Sequence, residues 1–335
     1  MNNTNTSERL KTSSTRVSTW LADNIVSLIF VAFTLFGFLV SDGVTMNFFL
    51  TELSSRFFRN AFLVLSLIIP VVAGLGLNFG IVVGAMAGQI ALAIVIYFGW
   101  GGVNGLLLTM LIALPIAALF GFLTGMLYNK TRGQEMIASL MVGYFANGLY
   151  QFLFLFVVGV IIKVPNTHPM IKPDGVGVRM TVDMGAHEQG GLKYALDKIW
   201  EIPFMWAILI VFAAILLLQI WKIIRNKKNP GLYRYNMTMT VINIILCLVM
   251  IAISLYAITT NSALMKIRKV PVITGLLIVA LCIFNELILK TKLGQDFRSV
   301  GQSQHIAEVS GIDVDKTRII ATIMSTVFAA WGQII

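Results

Sequence analysis

Between Asn60 and Asn129 the chain carries no Asp, Glu, Lys, Arg or His, a gap of 70 residues. A charge at the bilayer centre costs about 2.5–3.5 kcal/mol on insertion scales, so such a gap marks sequence built for lipid. Charge is scarce elsewhere too. Only 12% of the 335 residues are Asp, Glu, Lys or Arg, while 57% are hydrophobic. Soluble domains carry about 25% charge. This balance excludes a single water-soluble core and predicts an all-α, polytopic helical membrane protein. Cysteine is nearly absent: Cys247 and Cys282 both fall in apolar runs, which excludes a disulfide framework or a thiolate metal site. Histidine is limited to His168, His187 and His305, scattered along the chain, so no metal ligation or histidine-based catalysis is expected. There is no nucleotide-binding glycine loop. Its nearest approach, GMLYNKT, has Asn129 where the second glycine must stand. No carboxylate pair or Ser/His/Asp set is spaced for catalysis. An enzyme acting in its own right, with or without a cofactor, is therefore not expected.

A span needs about 20 apolar residues. The expected spans are Trp20 to Val40, then 61–78, 80–99, 103–128, 136–162, 204–222, 237–258 and 270–289, with a partial ninth from Ile319 to Ile335. No small-residue cleavage site follows the first run, so it reads as a retained span and not a signal peptide. Asn47 to Arg59, with RFFR at its end, reads as a separate interfacial segment. A break is expected at GLGLNFG, between the second and third spans.

The net charge of +10 reads as orientation, not nucleic-acid binding, because basic residues flank the spans. Residues 1–19 form a polar tail with Arg9, Lys11 and Arg16. The segment 222–236 has five Lys or Arg and no acid. Both are expected on the cytoplasmic side. The charge-balanced loop 163–203 then lies outside, and the loop 291–317 inside. One cluster conflicts: Lys266, Arg268 and Lys269 are basic, yet span parity places them outside.

Gly76, Gly80, Gly84 and Gly88 recur at every fourth position and predict a bare helical stripe. Such stripes let helix backbones approach closely, or leave room along a solute path. Asn78, Gln89 and Asn104 are the amides of the charge-free run, and Tyr144 and Asn147 share a face of the next span. Each serves either interhelical hydrogen bonding or a neutral polar solute.

The stretch SVGQSQHIAEVSGIDVDKTR, from Ser299 to Arg318, is too polar to cross a bilayer. Gly301 and Gly311 bracket a predicted helix of about two turns. Ser303 suits its N-cap, Gly311 its left-handed C′ position, and Asp313 or Asp315 the cap of the next helix. Ile306 and Val309 make one edge apolar, while Gln304, His305 and Glu308 point elsewhere. A helix this short is marginal alone and must be held by its own chain or by a partner.

This stretch resembles the cytoplasmic coupling loop of bacterial ABC importer permeases of the ribose/branched-chain amino acid type, which reads roughly A-V-G-x-N-x-x-A-A-x-x-x-G-I. Val300, Gly301, Ala307, Gly311 and Ile312 match, while Ser299, Ser303 and Ile306 replace Ala, Asn and Ala. KTKLGQDFR resembles the family's basic lead-in, and LGLNFGIVVGAMAGQIA its broken glycine-rich segment, with Asn78 at a commonly acidic position. EMIASLMVGYFANGL resembles the simple-sugar and nucleoside branch. The chain departs from the family by an extra hairpin near 237–289, and by stopping inside the helix after the loop, which implies a fragment or a divergent product.

The resemblance implies a permease subunit in the bacterial plasma membrane, moving a neutral sugar or nucleoside. Its implied partners are a cytoplasmic ABC ATPase, an external substrate-binding lipoprotein and a second permease subunit. It assigns the ATPase contact to Gly301, Ser303, Ile306, Ala307, Glu308, Val309 and Gly311, with Ala307 in the packed interface. The competing readings are a self-sufficient carrier or channel, for which Glu286 is the one candidate intramembrane acid, and an accessory subunit that transports nothing.

Overall fold

The computed structural model of the chain describes residues 25–40, 45–153, 156, 192, 195–228, 237–260 and 269–335. The tail 1–19, residues 163–191 of the expected external loop, His168, His187, Lys266 and Arg268 lie outside the described residues. Among the described residues the architecture is all-α and polytopic, with one two-residue strand pair. The helices are α1 (Ile25–Val40), α2 (Met46–Leu65), α3 (Ile68–Val72), α4 (Ile81–Tyr97), α5 (Gly102–Lys130), α6 (Glu135–Phe152), α7 (Phe204–Lys228), α8 (Met237–Thr259), α9 (Val272–Lys290), α10 (Lys292–Gln302), α11 (Gln304–Val309) and α12 (Val314–Ile334). Within α5, α7, α8 and α9 lie stretches long and apolar enough to cross a membrane, and α1 and α4 are shorter apolar helices.

The chain divides into two units, Met1–Glu52 and Leu53–Ile335. In the first, no residue of α1 is buried, and Phe38 meets Phe49 edge-on at 5.9 Å. The second unit is built around α12. Gly84 and Gly88 of α4 and Gly121 and Gly125 of α5 let both helices sit directly on its backbone. A Cβ at Gly84 would stand 2.5 Å from the Thr326 carbonyl oxygen, one at Gly88 2.6 Å from that of Ala330, and one at Gly121 2.7 Å from Ile323 Cα. Ala87, Ala91, Ala113, Ala117 and Ala330 complete a small-residue seam that is fully buried. Close backbone approach of this kind stabilises helix pairs where the hydrophobic effect between helices is weak. The hydroxyls of Thr322 and Thr326 donate to the carbonyls of Arg318 and Thr322, so these two buried groups are answered within the helix.

The seam makes a prediction. Gly88→Leu drives a side chain into the α12 backbone and should destabilise the protein by about 1–3 kcal/mol or more. Gly148 of α6 has open space around it, so Gly148→Leu is the matched control. Thermal unfolding in detergent compares them, and equal melting temperatures would show that the seam is not tightly packed.

Two expectations are corrected. Asn47 to Arg59 is not a separate segment but the first part of α2. The span expected over 61–78 is not one helix: α2 ends at Leu65, and α3 follows after a turn at Ser66 and Leu67. Pro70 is the cause, since its ring clashes with the carbonyl four residues back, at Ser66, and it has no N–H to donate. Side chains answer the exposed carbonyls. Ser66 Oγ donates to the Leu63 carbonyl at 2.6 Å, and Asn285 Nδ2 of α9 to that of Leu65 at 3.2 Å.

Helix directions fix which loops share an end. Lys290 at the end of α9 leads directly into α10 and α11, which define the proximal end. The start of α9 lies about 28 Å away, by its 19 residues at 1.5 Å each. At that distal end β1 (Glu201–Ile202) pairs antiparallel with β2 (Val270–Pro271), and Lys269 Nζ lies 3.6 Å from Glu201 Oε2. Lys269 thus lies at the end of α9 opposite α11, beside an acid that offsets its charge.

Candidate functional site

The proximal end joins three things the sequence kept apart: the Ser299–Arg318 stretch, the glycine break after α3, and the loop between α5 and α6. The stretch is a helix–cap–helix unit. α10 starts at Thr291, whose Oγ1 accepts from Gly294 N, and it runs through Gly301 to Gln302. Ser303 then caps α11, its Oγ accepting from Ile306 N at 3.4 Å. α11 closes with Gly311 N bonded to the Glu308 carbonyl and Ile312 N to that of Ala307, with Gly311 at φ +80°. That is a Schellman end, which requires a left-handed residue. Asp313 caps α12 by accepting from Lys316 N at 3.0 Å. Its carboxyl is held below the usual carboxylate range, first by that N–H and then by the Lys316 side chain. The cap therefore stabilises at neutral pH, and its contribution is lost only as pH falls through that lowered value.

One expected contact is corrected. Ala307 is 1% exposed, but it is buried by its own chain, against Val300 and Val314 with Ile312 alongside. The outward face belongs to Ile306 and Val309, 65% and 77% exposed. A short helix needs its small residue inward to dock, and only the other face is left for a partner. Gly301 also has a different role from the helix-bracketing one expected. It lies within α10 and is pressed against the break: a Cβ on Gly74 would stand 2.8 Å from Gly301 Cα. Nothing larger than glycine fits either side of this joint.

The break itself spans Ala73 to Gly80, with Gly74 at φ +76° and Gly76 at φ +69°. Gly76 therefore lies off the helix, with nothing within 4 Å of a Cβ, and is no part of the packing stripe. Unwound backbone in a membrane protein must find partners. Asn78 supplies one, its Oδ1 accepting from Gly80 N at 2.9 Å and from the Tyr128 hydroxyl at 2.6 Å. Ser139 of α6 supplies another, accepting from Phe79 N at 3.2 Å.

Ionic ties the sequence did not reveal complete the site. Arg132, in the α5–α6 loop, bonds Glu308 Oε1 at 3.3 Å and Asp315 Oδ1 at 2.5 Å. These two acids, Asp315 foremost, push its guanidinium pKa still higher. Arg318, 1% exposed, pairs with Glu135 and donates to the Tyr128 carbonyl at 3.3 Å. The visible signal was a lone arginine entering an apolar run four residues after Val314, but its partner is 183 residues away.

The five solute-path candidates do not share one wall. Asn78 is buried and bonded to Tyr128 at the proximal end of α5. Asn104 lies 24 residues earlier on that helix, about 36 Å away, at the distal end. Gln89 is half-buried on α4, while Tyr144 (77% exposed) and Asn147 lie on the outer face of α6. Glu286 is exposed and pairs with Lys290 at 2.6 Å, one helical turn on.

Residues 194–332 match the family model described as branched-chain amino acid transport system / permease component. The likeness is to a transport permease. It covers less than half of the chain and includes the whole Ser299–Arg318 stretch. Neither a curated protein nor a solved structure matches the chain.

Proposed function

We propose that this chain is the membrane-spanning permease subunit of an ATP-driven ABC importer for a neutral small solute, a sugar or nucleoside. The observation that carries this is α11: a capped helix fastened by Ala307 on one side and offering Ile306 and Val309 on the other. A cytoplasmic ABC ATPase grips that outer face. Closure of the ATPase dimer moves α11 and α10, and the Gly301–Gly74 joint passes the movement to the break between α3 and α4. The arginine ties at Arg132 and Arg318 carry the ends of α5 and α6 along. The spans then rock between outward- and inward-open arrangements.

In this reading the proximal end and the N-terminus are cytoplasmic, the membrane is the bacterial plasma membrane, and the distal end receives solute from an external binding lipoprotein. A second permease subunit covers the outward faces. The neutral solute follows from the charge-free run of Asn60 to Asn129, which offers amides and backbone dipoles but no counter-ion. A self-sufficient ion-coupled carrier is disfavoured because Glu286, its one candidate acid, is already paired with Lys290 at the surface.

The test is co-purification with an ABC ATPase expressed from the same cells, followed by uptake in reconstituted vesicles. ATP-dependent uptake of a nucleoside or sugar is expected. A chain that never retains an ATPase, or uptake inhibited only by leucine or sugar phosphates, would defeat the proposal.

A further inference from the structure

α7 and α8 form a hairpin that packs along itself and along no other helix among the described residues. The two helices run antiparallel. Ser254 Oγ, near the end of α8, donates at 2.8 Å to the carbonyl of Met205 at the start of α7, and both residues are buried. That end of the hairpin is the distal one, because β1 leads directly into α7 and pairs with β2 at the start of α9. The other end of α7 therefore points to the opposite face of the membrane. The apolar stretch of α7 runs from Phe204 to Arg225, and its most apolar part has no buried residue. Its 22 residues span about 33 Å, close to the roughly 30 Å of a hydrocarbon core. With Phe204 at the distal interface, Trp221, Lys222 and Arg225 stand in the opposite headgroup layer.

These three side chains make one surface patch. All are exposed, and their spacing puts them within an arc of about 100° on the helix. The Arg225 guanidinium lies 4.8 Å from the centre of the Trp221 ring, a cation–π contact. A guanidinium meets a phosphate with two parallel hydrogen bonds, and Lys222 adds a second positive charge beside it. Tryptophan is enriched at the headgroup level of membranes. The surrounding sequence strengthens the sign of the patch, since residues 222–236 include five Lys or Arg and no acid. Cations elsewhere at the proximal end are balanced by acids of the chain: Arg132 meets Glu308 and Asp315, Lys290 meets Glu286, and Lys316 meets Asp313. A basic patch at this depth faces lipid phosphates directly, and the exposed aliphatic faces of α7 and α8 suit acyl chains. A zwitterionic headgroup carries its own cation and gains less from such a patch than an anionic one. We infer that Trp221, Lys222 and Arg225 bind the phosphate headgroup of an anionic phospholipid whose acyl chains lie along α7. The basic flank is then more than a topology signal. It selects the lipid that holds the far end of a hairpin fastened through β1 and β2 at its distal end. The inference needs the membrane reading but not the permease reading.

Native mass spectrometry of the full-length chain in detergent tests the site, with phosphatidylglycerol and phosphatidylcholine of the same acyl chains as probes. The chain should retain phosphatidylglycerol over phosphatidylcholine by roughly tenfold or more. Lys222→Gln with Arg225→Gln should remove that preference. Lys222→Arg with Arg225→Lys keeps both charges and should keep most of it. Lys290→Gln with Lys292→Gln takes equal charge from the same face of the membrane, off the hairpin, and should leave the preference within roughly twofold of wild type. All these side chains are exposed, so the variants should melt in detergent at the wild-type temperature. No preference in the wild-type chain, an unchanged preference in Lys222→Gln with Arg225→Gln, or an equal loss in Lys290→Gln with Lys292→Gln overturns the site. Displacement of the lipid by millimolar inorganic phosphate overturns it in favour of a free-phosphate site. Loss of ATPase retention in Lys222→Gln with Arg225→Gln, with the lipid preference intact, overturns it in favour of a protein contact.

Discussion

Replacing Ile306 and Val309 together by serine is expected to abolish retention of the ATPase, with the chain still inserted and folded. Fully burying one such side chain contributes about 1.5–3 kcal/mol. Losing both from a partner contact therefore weakens association by roughly two to four orders of magnitude. The chain itself should not notice, because both residues face outward and touch none of its buried core. Ala307→Arg is the informative contrast. It forces bulk and charge between Val300 and Val314, so it should loosen the α10–α11 corner and raise protease cleavage there, as well as weakening the partner. Pull-down of the ATPase and limited proteolysis separate the two variants. An Ile306→Ser, Val309→Ser chain that retains the ATPase at wild-type level would show that α11 is only a connector.

Arg318→Met is expected to destabilise the protein by about 3–5 kcal/mol, the usual cost of leaving one member of a buried ion pair unpaired. Glu135 is only partly exposed, and with Arg318 gone its nearest compensation disappears. The double variant Arg318→Met, Glu135→Leu should recover most of that loss, because removing both charges also removes both desolvation costs. A thermal-unfolding double-mutant cycle in detergent measures the coupling. Additive single and double effects would mean that the pair does not hold α12 to the start of α6. Arg132 offers the opposite expectation. Its two bonds to Glu308 and Asp315 are solvent-exposed, and such pairs contribute about 1 kcal/mol or less.

The sequence by itself determined much of this molecule. The charge-free run, the apolar lengths and the glycine at every fourth position depend on short-range patterns, and membrane physics leaves them few alternatives. The caps at Ser303, Gly311 and Asp313 were legible for the same reason: each is a local bond between residues three to five apart. Tertiary structure decided which face of each element is occupied. Ala307 could turn to its own chain or to a partner, and only the packing of Val300 and Val314 chose. Gly76 fits the stripe by spacing but falls in unwound backbone, because Asn78 and Tyr128 stabilise the break that excludes it. Pro70 was visible, yet its effect on α2 depended on whether Ser66 and Asn285 could take up the freed carbonyls. The Arg318–Glu135 tie and the Gly301–Gly74 joint join residues 183 and 227 positions apart. No local pattern encodes such pairs, because they exist only once helices from distant parts of the chain converge on one end of the bundle.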